Sequence, residues 1–93
     1  MRIPDSVNVL GLIYSVDIKD MDDEDGSCIP SRQRIEIREG MSEEKTGQVF
    51  IHELVHAILD QLACIDEYQD ERLVQGLAVG LHQALYGITS ASL

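Results

Sequence analysis

Hydrophobic residues alternate with polar ones in the first part of the chain, which is the period of a β-strand. From Leu12 the order Leu-Ile-Tyr-Ser-Val-Asp-Ile places Leu12, Tyr14, Val16 and Ile18 on one side. The surrounding segment Val7–Ile18 is rich in β-branched residues and contains no proline. We therefore predict a strand over this segment.

A second alternating segment covers Arg32–Arg38. There Ile35 and Ile37 would face a core while their charged neighbours face water, a pattern that favours a half-exposed strand and suits an edge position. Between the two strands, Lys19–Ser27 holds five acids and a glycine among nine residues. This stretch predicts a solvent-exposed loop.

The helical period begins after Gly40. Ser42 is a typical N-cap residue, and the acids Glu43 and Glu44 that follow suit the first turn of a helix. Apolar residues then recur at intervals of three and four: Val49, Phe50, Leu54, Val55, Ile58, Leu59 and Leu62. The pattern predicts a long, well-buried helix from near Glu43 to about Cys64.

A second periodic segment follows the acidic connector Ile65–Asp70. It has one apolar stripe, formed by Leu73, Leu77, Leu81 and Leu85. We predict a helix that ends near Gly87 and a short polar tail over Thr89–Leu93. The helix contains Gly76 and Gly80, which weaken it but allow close approach of another helix.

The order of these elements predicts a single α+β domain over residues 1–93, in which a β-ribbon or small antiparallel sheet packs on two main helices. A chain of 93 residues is too short for two independent cores. Its formal net charge of -10 disfavours binding to nucleic acid or to an anionic membrane, because both depend on clustered cations. A protein or peptide is the expected partner.

The two cysteines, Cys28 and Cys64, form no C-x-x-C pair, and no secretory signal follows Met1. Free thiols in the cytoplasm are the expected state. The alternatives are a long-range disulfide and a metal-binding role for Cys64. No stretch approaches the roughly 18 apolar residues of a membrane span, so we predict a soluble protein.

The chemistry is indicated by His52, Glu53 and His56, which form the pattern H-E-x-x-H inside the first predicted helix. Residues four apart lie about one turn, roughly 6 Å, along one helix face. Both imidazoles can therefore bind one tetrahedral ion while Glu53 points to a flanking side. The pattern predicts a zinc site with a carboxylate beside it.

A catalytic zinc site needs a third protein ligand. The pattern H-E-x-x-H-x-x-G-x-x-H is excluded because Leu59 and Leu62 stand where it requires glycine and histidine. A glutamate from a second, antiparallel helix fits instead, and Glu71 stands fifteen residues after His56, at the start of that helix. Three neighbouring acids are the weaker alternatives: Glu67, Asp66 and Asp70.

If His52, His56 and Glu71 bind Zn²⁺, the role of Glu53 follows from metal chemistry. Zinc lowers the pKa of its water, Glu53 takes that proton as general base, and the resulting hydroxide attacks a carbonyl. Glu53 then passes the proton to the leaving amine. The expected reaction is hydrolysis of an amide bond.

Other polar residues are candidates for supporting roles. Gln75 and Asp60 each lie one turn from a predicted ligand, and either could bind the far nitrogen of a metal histidine. His82 lies roughly 16 Å from Glu71 along a straight helix, so a core or surface position is expected. Two aromatic residues are candidate electrophiles: Tyr68 and Tyr86.

These residues resemble those of the zincin-like metallopeptidases, and among them the short ImmA/IrrE-type proteins of phages, mobile elements and bacterial genomes. The resemblance covers most of the chain and follows the order of its parts. These are a ribbon ending in Arg34-Ile35-Glu36-Ile37, then Gly40-Met41-Ser42, then His52-Glu53-Leu54-Val55-His56-Ala57-Ile58, then Glu71 ahead of Leu73-Val74-Gln75-Gly76-Leu77-Ala78-Val79-Gly80-Leu81.

The resemblance implies a minimal zincin-like domain that acts as a zinc-dependent endopeptidase on a specific protein, such as a repressor of a mobile element. It implies the same ligands and the same base, and a strand near Ile35 that pairs with an extended substrate. The alternative is a catalytically weak or inactive metal-binding protein that acts as an interaction or regulatory module. That alternative arises because no residue is identified as the oxyanion donor.

Overall fold

Four strands and three helices make up the protein in the computed structural model, which describes residues 2–91. The strands are β1 (Ser6–Val9), β2 (Leu12–Lys19), β3 (Gly26–Ile29) and β4 (Arg34–Arg38). The helices are α1 (Glu43–Gln61), α2 (Ile65–Tyr68) and α3 (Glu71–Ala91), and a 3₁₀ turn covers Pro30–Arg32. The predicted α+β class with two main helices is confirmed. Within the described residues, no helix combines the length and the apolar character needed to cross a membrane.

The sheet has the strand order β1-β2-β4-β3 and is mixed, so the prediction of an antiparallel ribbon or sheet is wrong in this respect. The pairs β1–β2 and β3–β4 are antiparallel, whereas β2 and β4 run parallel. β4 therefore lies inside the sheet and is hydrogen-bonded on both sides, so the edge position suggested for Arg32–Arg38 is wrong. Ile35 and Ile37 are fully buried, as the alternation predicted.

The segment Val7–Ile18 is a hairpin rather than one strand. Leu10 (φ 49°) and Gly11 (φ 99°) form a two-residue turn with positive φ at both positions, the geometry of a type I′ turn. Asn8 Oδ1 accepts a hydrogen bond from Gly11 N at 2.8 Å. The turn is hidden in the sequence because its first residue is leucine, where asparagine or glycine is usual.

The segment predicted as a loop, Lys19–Ser27, already includes the start of β3. This strand pairs with β4 from Gly26, opposite Ile37, to Ile29, opposite Arg34. Four residues that include Gly-Ser have little strand propensity of their own. The backbone partners on β4 hold them in place.

α1 begins as predicted, because Ser42 Oγ accepts a hydrogen bond from Lys45 N at 3.1 Å. It ends three residues before the predicted Cys64. Ala63 adopts the left-handed conformation (φ 59°), and its N–H donates to the carbonyl of Asp60 at 2.9 Å. Glycine usually occupies this position, so the sequence carried no stop signal. The connector that follows contains the one-turn helix α2.

Residues from the sheet, α1 and α3 form one core. The buried apolar residues are Val9, Tyr14, Val16, Ile35, Ile37, Val49, Phe50, Ile51, Val55, Ala57, Val74 and Ala78. On β2 only the centre of the predicted apolar side is buried, because Leu12 and Ile18 at its ends are exposed. α1 thus separates the sheet from α3 and contacts both.

The leucine stripe of α3 does not face this core. Leu73, Leu77, Leu81 and Leu85 are 39–50% exposed, although a stripe of this kind ordinarily covers a core. The face of α3 that is buried carries Val74, Ala78 and His82. The helix also continues past the predicted end at Gly87 to Ala91. Of the predicted tail, Ser92 and Leu93 lie outside the described residues.

Substitutions on the two faces of α3 should therefore differ in cost. Val74→Ala leaves a gap at a fully buried position and should lower the free energy of unfolding by about 2 kcal/mol. Leu77→Ala, on the exposed face, should lower it by less than about 1 kcal/mol. Denaturant-induced unfolding measures both, and the opposite ranking would mean that the leucine stripe is the packed face.

Candidate metal centre

The middle of α1 presents His52, Glu53 and His56 toward α3 and β3. The helix places the two histidines one turn apart, with ring centroids 5.0 Å from each other. His56 and Glu53 are 6% and 7% exposed, and His52 is half-buried. The H-E-x-x-H pattern thus lies on a buried face of its helix.

Glu71, the first residue of α3, meets both histidines. Its Oε2 lies 3.0 Å from His52 Nε2 and its Oε1 lies 2.8 Å from His56 Nε2. One ligand atom from each of the three residues lies within 4.8 Å of the others. The structure therefore brings the three predicted ligands together.

The competing acids have other positions. Asp66 and Glu67 are exposed in the first turn of α2. Asp70 caps α3, because its Oδ1 accepts a hydrogen bond from Leu73 N at 3.0 Å. Among the described residues none of these acids belongs to the cluster of possible metal ligands.

Gln75, one turn after Glu71, orients the ring of His52. Its Oε1 lies 2.7 Å from His52 Nδ1, and an amide oxygen only accepts, so Nδ1 must donate. A neutral His52 then carries a lone pair on Nε2, which faces the carboxylate of Glu71. Two acceptors 3.0 Å apart require a proton or a metal ion between them. This geometry fits a His₂Glu zinc site.

The second predicted partner, Asp60, does not orient His56. His56 Nδ1 is buried, and in the described part of the chain it makes no hydrogen bond of standard geometry. The backbone of Tyr68 is nevertheless close enough to raise the pKa of the imidazole. Burial lowers the pKa of His56, an effect that Glu71 opposes. The imidazole is therefore favoured in its neutral form, which is the form that binds metals.

Glu53 lies beside the cluster without belonging to it. Burial raises the pKa of its carboxyl to about 7, with Glu71 and Glu24 acting in the same direction and His52 opposing them. The carboxyl lines a cleft of about 210 Å³. The walls of this cleft come from α1, α3 and the start of β3: Asp25, Gly26, Lys45, Gln48, Val49, His52, Glu53 and Gln75.

The two candidate tyrosines have different surroundings. The ring of Tyr68 packs edge-on against His56, with centroids 4.7 Å apart, and its hydroxyl interacts with the thiol of Cys28. Burial raises the pKa of both Tyr68 and Cys28 to about 12, so both stay protonated near neutral pH. Tyr68 thus supports His56 from the side of β3.

Tyr86 and His82 line a separate cleft of about 380 Å³ farther along α3. Their rings lie 5.2 Å apart, and His82 is 6% exposed, with no partner among the described residues for its Nε2. His82 is thus a core histidine, as its distance from Glu71 predicted. It does not belong to the cluster of possible ligands.

The sequence did not indicate the contributions of β3 to the site. Cys28 and Gly26 come from β3, a strand that was not predicted and whose first two residues fell in the predicted loop, and both lie near Glu53. Both cysteines are free thiols, as expected. Within the described residues, Cys64 does not join the possible ligands.

Comparison with known proteins adds no relative to this description. No protein-family model, curated protein or solved structure matches the chain. The resemblance to zincins that the motif suggested stays a prediction.

Each chain should bind one zinc ion. Zinc should raise the melting temperature by several degrees, because it binds only the folded state. Glu71→Gln should abolish most of this shift. Gln75→Ala should lower zinc affinity by about 10- to 100-fold, because it frees the ring of His52. Glu67→Gln is the matched control and should change neither. Calorimetry measures the zinc affinity, and thermal unfolding with and without chelator measures the stabilisation. A loss of zinc affinity in Glu67→Gln would mean that the third ligand lies on α2.

The raised pKa of Glu53 should appear in the stability of the metal-free protein. The folded state binds this proton more tightly than the unfolded state, so its contribution is full below about pH 4.5 and is lost as the pH rises through about 7. Glu53→Gln removes this loss. Relative to the wild type, the free energy of unfolding of Glu53→Gln should therefore rise between pH 5 and pH 8 by on the order of 2 kcal/mol. An advantage that does not change with pH would mean that Glu53 titrates normally.

Proposed function

We propose that this protein is a zinc-dependent endopeptidase of the zincin type, with His52, His56 and Glu71 as metal ligands and Glu53 as general base. One observation carries the proposal. Two imidazole nitrogens and one carboxylate oxygen lie within 4.8 Å of one another, while a buried acid outside the set lies beside them. A site that only bound metal would have no need for that acid.

The donor set suits zinc. Two neutral imidazoles and one carboxylate are three of the four ligands of a catalytic zinc site, and the remaining position is left for water or substrate. A bound zinc ion supplies a Lewis acid that polarises the scissile carbonyl and acidifies water. His52 is held for this task by Gln75, and His56 by packing against Tyr68.

The role of Glu53 follows from its environment. Burial in the metal-free protein raises the pKa of the Glu53 carboxyl to about 7, which brings it close to neutral pH, where a general base works best. Its carboxylate takes a proton from the attacking water and returns it to the leaving amine. Both transfers take place in the cleft that Glu53 lines.

The substrate strand should pair with β3 rather than with the strand near Ile35. β4 already has a partner on each side, so it cannot accept another strand. β3 lies at the edge of the sheet, and its first residue, Gly26, lines the cleft beside Glu53. A peptide added to this edge would run past the acid in an extended conformation.

A second candidate function is a metal-stabilised interaction module that does not cleave its partner. The positions of the two possible electrophiles, Tyr68 and Tyr86, favour this second function. The hydroxyl of Tyr68 is engaged by Cys28, and Tyr86 lines a separate cleft. Neither tyrosine is therefore aimed at a substrate oxyanion in the cleft beside Glu53.

Glu53→Gln separates the two functions. An endopeptidase should lose about 100-fold or more of its hydrolysis of a fluorogenic peptide mixture, because the base is gone, while zinc binding stays at one ion per chain. Glu39→Gln, at an exposed position in the turn after β4, is the matched control and should change neither. Equal hydrolysis by Glu53→Gln and wild type would remove Glu53 as the base. A wild type that binds zinc without hydrolysing any peptide would favour the interaction module.

A further inference from the structure

Gly26 occupies a crowded point between β3 and α1. A Cβ built at this residue would lie 2.5 Å from Val49 Cγ1, 3.0 Å from Glu53 Oε2 and 3.2 Å from the carbonyl oxygen of Glu36. Contacts this short force a neighbour to move. The backbone of Gly26 is not in the left-handed region, in contrast to Gly11 and Gly40. What excludes a side chain here is space and not conformation.

Contacts with β4 and α1 hold the start of β3 in place. Asp25, the preceding residue, accepts a hydrogen bond from Arg38 through its carbonyl at 2.8 Å, and its carboxylate pairs with the guanidinium of Arg38 at 2.6 Å. The same carboxylate lies 3.8 Å from Lys45 Nζ on α1. The start of β3 is thus tied to both β4 and α1.

The three neighbours differ in how easily they can move. The carbonyl of Glu36 belongs to an interior strand and is held by the sheet. Val49 has a short, branched and buried side chain. The carboxylate of Glu53 is the far end of a flexible side chain, so it would be displaced most easily.

We propose that Gly26 is a positioning residue, whose missing side chain lets the carboxylate of Glu53 lie against the edge strand at the cleft. The inference rests on the proposed function, in which Glu53 is the general base. A small displacement of a base relative to its substrate costs rate without weakening the metal site. Gly26 acts through Glu53, and none of the three atoms nearest its missing Cβ belongs to a metal ligand.

The test must separate positioning from packing, because Gly26→Ala alone can destabilise the fold through Val49. Val49→Ala removes the closest contact, so Gly26→Ala is introduced into that background. Relative to Val49→Ala, the double variant should keep its zinc affinity and its KM within about twofold and lose about tenfold in kcat on the fluorogenic peptide mixture. Gly80→Ala is the matched control, because a Cβ there has no neighbour within 4 Å. It should leave these constants unchanged.

A second measurement does not depend on catalytic activity and uses Glu53→Ala, which removes the carboxylate. In the Val49→Ala background, the fall in melting temperature caused by Gly26→Ala should be smaller when Glu53 is alanine than when it is glutamate. This cycle measures the contact itself in metal-free protein. A purely local packing role would give the same fall in both.

The outcomes are distinguishable. Coupling to Glu53 in stability together with the loss in kcat supports the inference. Absence of coupling overturns it, and so does coupling without a change in kcat when Glu53→Gln is inactive. If the wild type hydrolyses no peptide, the proposed function fails first and the catalytic role of Gly26 fails with it.

Discussion

The packing of α3 back along α1 is the constraint on which the candidate site depends. Glu71 meets both histidines at the start of α3, and Gln75 meets His52 one turn later. Val74 and Ala78 bury the same side of the helix against the core. A rotation of α3 by one residue, about 100°, would remove Glu71 from the site and expose Val74.

This constraint explains the exposed leucines. A helix can turn only one face toward α1, and on α3 the residues that bind His52 and His56 share a face with Val74, Ala78 and His82. The leucine stripe lies on another side of α3. Beside the site, α3 meets α1 through Val74 and Ala78, and the Glu71 carboxylate lies within 3.0 Å of both imidazoles. Larger side chains at Val74 and Ala78 would hold the helices apart. Gly76 and Gly80, which were expected to allow close approach of another helix, have no neighbour within 4 Å of a built Cβ, so that expectation is wrong.

Burial of Glu53 is a second constraint and acts against stability. An acid with 7% exposure and two further acids acting on it is costly to ionise, which is why its pKa is raised to about 7. The chain places this acid against the backbone of β3, at a glycine, where no side chain competes for the space. Such an arrangement is typical of a group kept for its chemistry rather than for the fold.

The sequence alone determined the elements whose signals are local. The cap at Ser42, the long period of α1 and the spacing of His52 and His56 depend on neighbours in the chain, and the structure places all of them as predicted. Glu71 could be placed at the start of the next helix because a short connector limits where that helix can begin. Gln75 and Asp60 carried the same signal, one turn from a predicted ligand, and only Gln75 meets an imidazole.

Tertiary structure decided whatever depended on distant partners. β3 exists because β4 supplies its hydrogen bonds, and Leu10 enters a left-handed turn because the two strands of the hairpin pair around it. The buried face of α3 was set by contacts with α1, which outweighed the apolar area of the leucine row. Gly26 became part of the site only when β3 was placed against α1. In each case the deciding free energy comes from groups far apart in sequence, which a local pattern does not contain.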